Sequence, residues 1–287
     1  PDEAERGARL ATAQPGGAAL LGTLGAVLRD RGRLAEAESA WVRAGRERAI
    51  DSLTALVNIG VLRANRGDRD GARRIFDRFI DVYNSRRSEF TSEDLSAVAL
   101  ACRHLGDDDP QLFKDALKAY DAAIALDPTN LEARIALGEL FVDKYNGADA
   151  KSTLDAVLEI NPFDPRALVA AAARADADNA PGVDSLIARA LAVNPEYVPA
   201  RVMLARALLD LERFDDAQRE VERALRVNPA SREAVAVAAA IAFVKGDTRE
   251  YERQHARAQA LNARDGAFYA TVSEAAARVR RYGVAAD

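Results

Sequence analysis

The side chains able to do acid–base or nucleophilic chemistry are few and scattered. Histidine, the residue best placed to move protons near neutral pH, occurs only at His104 and His255. The two lie far apart, and neither stands in the His-Glu-x-x-His spacing that sets two imidazoles on one helix face to hold zinc. Cys102 is the sole cysteine, so no internal disulfide is possible. It ends the apolar run from Val98 to Ala101, where a free cysteine packs as a small hydrophobe. Asp107, Asp108 and Asp109 are consecutive. They lack the alternate ligands and distal glutamate of a calcium loop, and read as a solvated turn. No phosphate-binding glycine loop or nucleophile elbow occurs. Catalysis, a cofactor and a metal are therefore not expected.

One stretch has the ingredients for nucleic acid. Arg73, Arg74, Arg78, Arg86 and Arg87 surround Phe76, Phe79 and Tyr83, pairing phosphate-binding charge with stacking rings. The rings recur at helical spacing, which predicts core packing. Asp70, Asp77 and Asp81 interleave the arginines. With a net charge of -5 and no basic stripe, a nucleic-acid partner is not expected. The positive charge is nearly all arginine, with lysine only at 114, 118, 144, 151 and 245, a bias expected of a GC-rich bacterial genome. No secretory signal opens the sequence. The most apolar runs, 18–28 and 234–244, are far shorter than the roughly 20 residues that span a bilayer.

The elements that must carry these side chains follow from the stretch 131–162. Leu137, Gly138 and Phe141 lie in its first half, and Ala150, Leu154, Val157 and Asn161-Pro162 in its second. That spacing predicts a helix, a short turn and a second antiparallel helix. The pattern recurs with Leu24, Gly25 and Trp41, with Ile59, Gly60 and Phe76, and with Leu204, Ala205 and Phe214. Prolines 128, 162, 195 and 229 close successive units. Each lacks an N–H and disfavours helix in the residue before it. Thr91 with Asp94 reads as a capping box, and Asn130 and Asp164 read as N-caps, Asp164 with Pro165 at the first helical position. Gly25 is expected where the partner helix crosses.

The unit resembles the tetratricopeptide repeat, a helical hairpin of about 34 residues. The resemblance covers roughly residues 18 to 265. It implies an all-α solenoid of antiparallel helix pairs wound into a right-handed superhelix. Hairpins are expected at 18–52, 53–90, 91–130, 131–164, 165–197, 198–231 and 232–265. A partial repeat is expected at 1–17, and the start of a further repeat or a capping helix at 266–287. Both ends read as cutting through a hairpin, so a segment of a longer chain is expected. The unit at 165–197 is degenerate, with alanines at 170–173 and no bulky aromatic.

In this family the first helices of successive hairpins line a concave groove that binds peptides or protein segments. The resemblance therefore implies a non-catalytic interaction scaffold with a protein or peptide partner. The exposed inner face is expected to carry Arg29, Asn58, Asn65, Arg103, His104, Glu139, Asp143, Asp176, Arg206 and Asp210. Asn58, on roughly the same helix face as Asn65, offers a donor and an acceptor to a peptide backbone. The family's groove for a chaperone's carboxylate tail needs lysine, asparagine and arginine across three units. Gly22 and Ala26, then Glu93 and Ala97, stand where that set belongs, so that ligand is not expected. Two other readings remain: a regulatory or substrate-presenting arm of a larger enzyme such as a protease or glycosyltransferase, and self-association through open solenoid ends.

Overall fold

The computed structural model describes residues 2–12, 20–47, 52–85, 90–144 and 146–278. The end of the expected partial repeat, residues 13–17, Arg86 and Arg87, and the last residues of the chain lie outside that set. The described residues form sixteen helices. α1 is Asp2–Thr12, α2 Leu21–Asp30, α3 Leu34–Glu47, α4 Ser52–Asn65, α5 Arg69–Ser85, α6 Ser92–Leu105, α7 Gln111–Leu126 and α8 Leu131–Asp143. α9 is Gly147–Ile160, α10 Pro165–Ala177, α11 Val183–Val193, α12 Val198–Asp210, α13 Phe214–Val227, α14 Arg232–Lys245, α15 Thr248–Leu261 and α16 Gly266–Arg278. Each even helix from α2 to α14 packs against the odd helix after it, and successive hairpins stack. The chain is an α-solenoid.

The helix starts have local causes. Thr91 Oγ1 accepts from the Asp94 amide while Asp94 accepts from the Thr91 amide. Asn130 caps α8, and Asp164 caps α10 with Pro165 in its first turn. At the closing turns, Asp127, Asn161, Asn194, Asn228 and Asn262 each accept from the amide two residues on, at 2.9 to 3.1 Å. Those side chains satisfy donors that the helix ends leave orphaned.

Within a hairpin the two helices cross at glycine. A Cβ on Gly25 would lie 2.4 Å from the Trp41 indole, on Gly60 2.5 Å from Phe76, and on Gly138 2.7 Å from Leu154. The Trp41 indole N–H donates to the Gly22 carbonyl at 3.1 Å. The Gly22 carbonyl thus has a partner, while a Cβ on Gly22 would meet open space. Trp41, Phe79 and Tyr120 are buried, in one continuous core from α2 to α8. Phe76 belongs to it as well, so these rings serve packing. A second core runs from α12 to α16. Between them the alanine-rich α10 supports only small clusters, such as Leu168 with Ala190 and Ala200.

The Tyr120 hydroxyl is buried without a hydrogen-bond partner, and burial raises its pKa. Tyr120→Phe removes that desolvated group at constant shape. It should raise stability by about 1 kcal/mol, read as a higher urea midpoint.

The superhelix closes on itself within one turn. The turn at Gly32, between α2 and α3, seats on the turn after α13: a Cβ on Gly32 would lie 2.5 Å from Asn228 Oδ1 and 3.0 Å from the Ala230 nitrogen. The next turn repeats the contact one hairpin on, with a Gly67 Cβ 2.5 Å from Asn262 Oδ1. Arg232 donates to Asn65 Oδ1 at 3.1 Å and forks onto Asp265 at 2.6 and 2.7 Å. Gly32 and Gly67 both have positive φ, 72° and 79°, which favours glycine over any residue with a Cβ.

Candidate ligand groove

The first helices α4, α6, α8 and α10 lie side by side on the inner surface. Charged side chains of α6, α8 and α10 form a chain of ion pairs. Arg103 of α6 reaches Glu139 of α8 at 3.7 Å and bonds Asp143. Arg166 of α10 holds both oxygens of Glu139, at 2.8 and 2.9 Å, and also bonds Glu132. Burial works against the Arg166 charge, but the two glutamates outweigh it and its pKa is raised. The bidentate geometry is the strong form of this pair.

His104 is mostly buried rather than presented to a ligand. It stacks on Phe76 with centroids 5.0 Å apart and planes 5° apart. Burial, then the neighbouring Arg103, pushes its pKa down to about 4. Its folded pKa therefore lies below the ordinary value of 6.5, and between these values the unfolded chain binds a proton that the folded chain refuses. Stability should fall as pH drops through 6.5 and level off below about 4, with a full loss on the order of 3 kcal/mol. His104→Gln should flatten that limb in urea melts at pH 7 and pH 5.

Most of the other expected groove residues are also engaged. Arg29 pairs with the adjacent Asp30 at 2.8 Å. The Asn58 amide turns back onto its own helix and donates to the Thr54 carbonyl at 2.9 Å. Asn65 belongs to the superhelical contact with Arg232. Asp176 is exposed. Arg206 meets Glu274 at 3.2 Å and Asp210 bonds Arg278. Burial raises the Asp210 pKa against the opposing pull of Arg278. Arg103, Glu139 and Asp143 are thus brought together, Arg206 and Asp210 form a second group, and Arg29, Asn58 and Asn65 stand apart.

Arg166, Glu274 and Arg278 were not foreseen from the sequence. Glu274 and Arg278 each sit 68 residues beyond their partners, about two repeat lengths. That spacing and the absence of any polar face on α14 were the available signals. Among the described residues, no cluster of three His, Cys, Asp or Glu could hold a metal, and no helix is long and apolar enough to cross a membrane.

Residues 111–175 and 176–241 match the sequence profile of the tetratricopeptide repeat. A search of curated proteins found no match. The solved tetratricopeptide repeat protein of Parabacteroides merdae is similar at 16% identity, covering 90% of this chain and 98% of that one, with a TM-score of 0.59. A thermophilic repeat protein of Thermus thermophilus is similar at 18% identity over 62% of this chain and 98% of its own, with a TM-score of 0.51. Yeast Tom70 is similar at 18% identity over 94% of this chain, with a TM-score of 0.56. This chain spans 55% of that structure. At these identities the likeness is one of fold.

Proposed function

Because residues 111–241 are tetratricopeptide repeats and hairpins of the same fold continue on both sides, this chain is a tetratricopeptide-repeat protein, and on that premise we propose that it is a non-catalytic scaffold whose concave face binds a protein segment. Repeats of this family generally serve as interaction scaffolds, and stacked hairpins give an extended inner surface suited to that use. The observation that carries the reading is the row of Arg103, Glu139, Asp143 and Arg166 across three first helices. Asp143 is half-exposed, and exposed ion pairs hold by at most about 1 kcal/mol. A ligand carboxylate can therefore take Arg103, or a ligand cation Asp143, at small cost.

The test is panning of a displayed random-peptide library on the immobilised chain and on an Asn58→Ala, Arg103→Ala, Arg206→Ala triple variant with an unchanged helical melt. Enrichment on the parent and its loss on the variant supports groove binding. Equal enrichment moves the site to the convex face or the loops, and no enrichment at all removes the peptide reading.

A further inference from the structure

α16 does not sit where the earlier first helices sit. From α4 to α14, each even helix meets the preceding hairpin more through that hairpin's second helix than through its first. α16 packs instead chiefly on α14, and it reaches past α14 to α12. The aromatic side chains at its start keep contact with α15: Phe268 lies 5.6 Å from His255, and Tyr269 accepts from Gln259 at 3.1 Å. α16 therefore lies across the concave face.

This placement accounts for α14. Ala234 to Ala242 and Val244 are all buried, so the helix has no solvated side. A helix apolar all round must be covered all round. α16 supplies the missing cover through Phe268, Val272, Ala275 and Ala276, all buried, at the i, i+4, i+7, i+8 spacing of one helical stripe. Its polar edge is matched to α12. Arg206 and Asp210 are four residues apart, as are Glu274 and Arg278, and they meet in order, Arg206 to Glu274 and Asp210 to Arg278. The match sets the two helices parallel.

We propose that the concave face over α12 and α14 is a binding site for an amphipathic helix of a partner, apolar on one face and carrying glutamate and arginine four residues apart, and that α16 fills this site in cis until such a helix displaces it. The proposal rests on the groove reading above in taking the concave face as the ligand side. It adds the ligand's form and the segment that competes with it. α16 is suited to leaving. Its ion pairs are between side chains that are 34% to 56% exposed, and thirteen residues make a helix only marginally stable alone. As a tethered competitor it acts at an effective concentration on the order of millimolar.

The test uses a fluorescent peptide of residues 266–278 and the full chain, read by anisotropy. The peptide should bind a chain carrying Glu274→Arg and Arg278→Glu, in which α16 opposes like charges, at least tenfold more tightly than the unaltered chain. A peptide with the same two reversals should fail on that chain. It should bind instead to a chain carrying Arg206→Glu and Asp210→Arg. Equal affinity for the reversed and unaltered chains, or no binding to either, overturns the proposal. If library peptides still depend on Arg103 in that case, the groove reading survives alone. Should the reversed chains not fold, hydrogen exchange of the unaltered chain decides. Exchange of α16 amides ahead of those of α12 and α13, made faster still by excess peptide while α14 keeps its protection, supports the proposal. α16 exchanging only with global unfolding overturns the proposal.

Discussion

Replacing Gly32 and Gly67 together by alanine should cost about 3 to 4 kcal/mol and swell the molecule, seen as a lower urea midpoint and a larger radius of gyration in X-ray scattering. Each alanine must adopt positive φ, about 1 kcal/mol or more apiece, and each new methyl meets an asparagine oxygen at 2.5 Å. Neither asparagine is free to yield, because Asn228 and Asn262 hold the amides of Ala230 and Arg264 at 2.9 Å. The relaxed outcome is separation of the two turns. Gly246→Ala supplies the control. It has φ 75° but open space around a Cβ, so it should pay the backbone strain alone and leave the radius unchanged. Swelling in the control as well would show that the superhelical contact is not what holds the radius.

The second large effect is at the Gly25 crossing. Trp41→Ala should cost about 4 kcal/mol, since the ring is buried and its loss leaves a cavity. Gly25→Ala gains about 1 kcal/mol of helix propensity. It also drives a methyl against three indole atoms within 2.6 Å, and the ring is pinned by its bond to Gly22. Overpacking of this kind costs about 3 kcal/mol, for a net loss of about 2. The double variant should lose about 3 rather than 6, because the methyl then points into the space that the ring vacated and its helix-propensity gain remains. Strict additivity of the two losses would mean that the helices shift apart rather than clash.

What was legible in the sequence was what neighbours in sequence decide. Gly25 and its equivalents mark helix crossings, Thr91, Asn130 and Asp164 mark helix starts, and Pro162 and its fellows mark the ends. Each is a local steric or hydrogen-bonding fact. The Asn65–Arg232 bond and the seat of α16 are not. They depend on superhelical curvature, the sum of small rotations at every hairpin interface, for which no single residue is a sign. Side-chain direction was also lost. Asn58 has a choice between ligand and its own Thr54 carbonyl, and spacing does not decide it. His104 was expected on the exposed inner face. It is drawn under cover by Phe76, a residue that the sequence assigned to the core without saying which neighbour it would stack on.

The closed superhelical turn also bears on how the chain acquires its structure. A solenoid with contacts only between neighbouring units folds from any starting point and propagates along its length. Here Asn65 meets Arg232 across 167 residues of chain. Such a contact forms only after the hairpins between have taken their places, and it carries the loop-closure entropy of a distant pairing. The final step of folding is then a ring closure, and the first hairpins cannot lose their structure without loosening the sixth and seventh. A molecule built as a row of repeats thereby gains the all-or-none character of a globular domain.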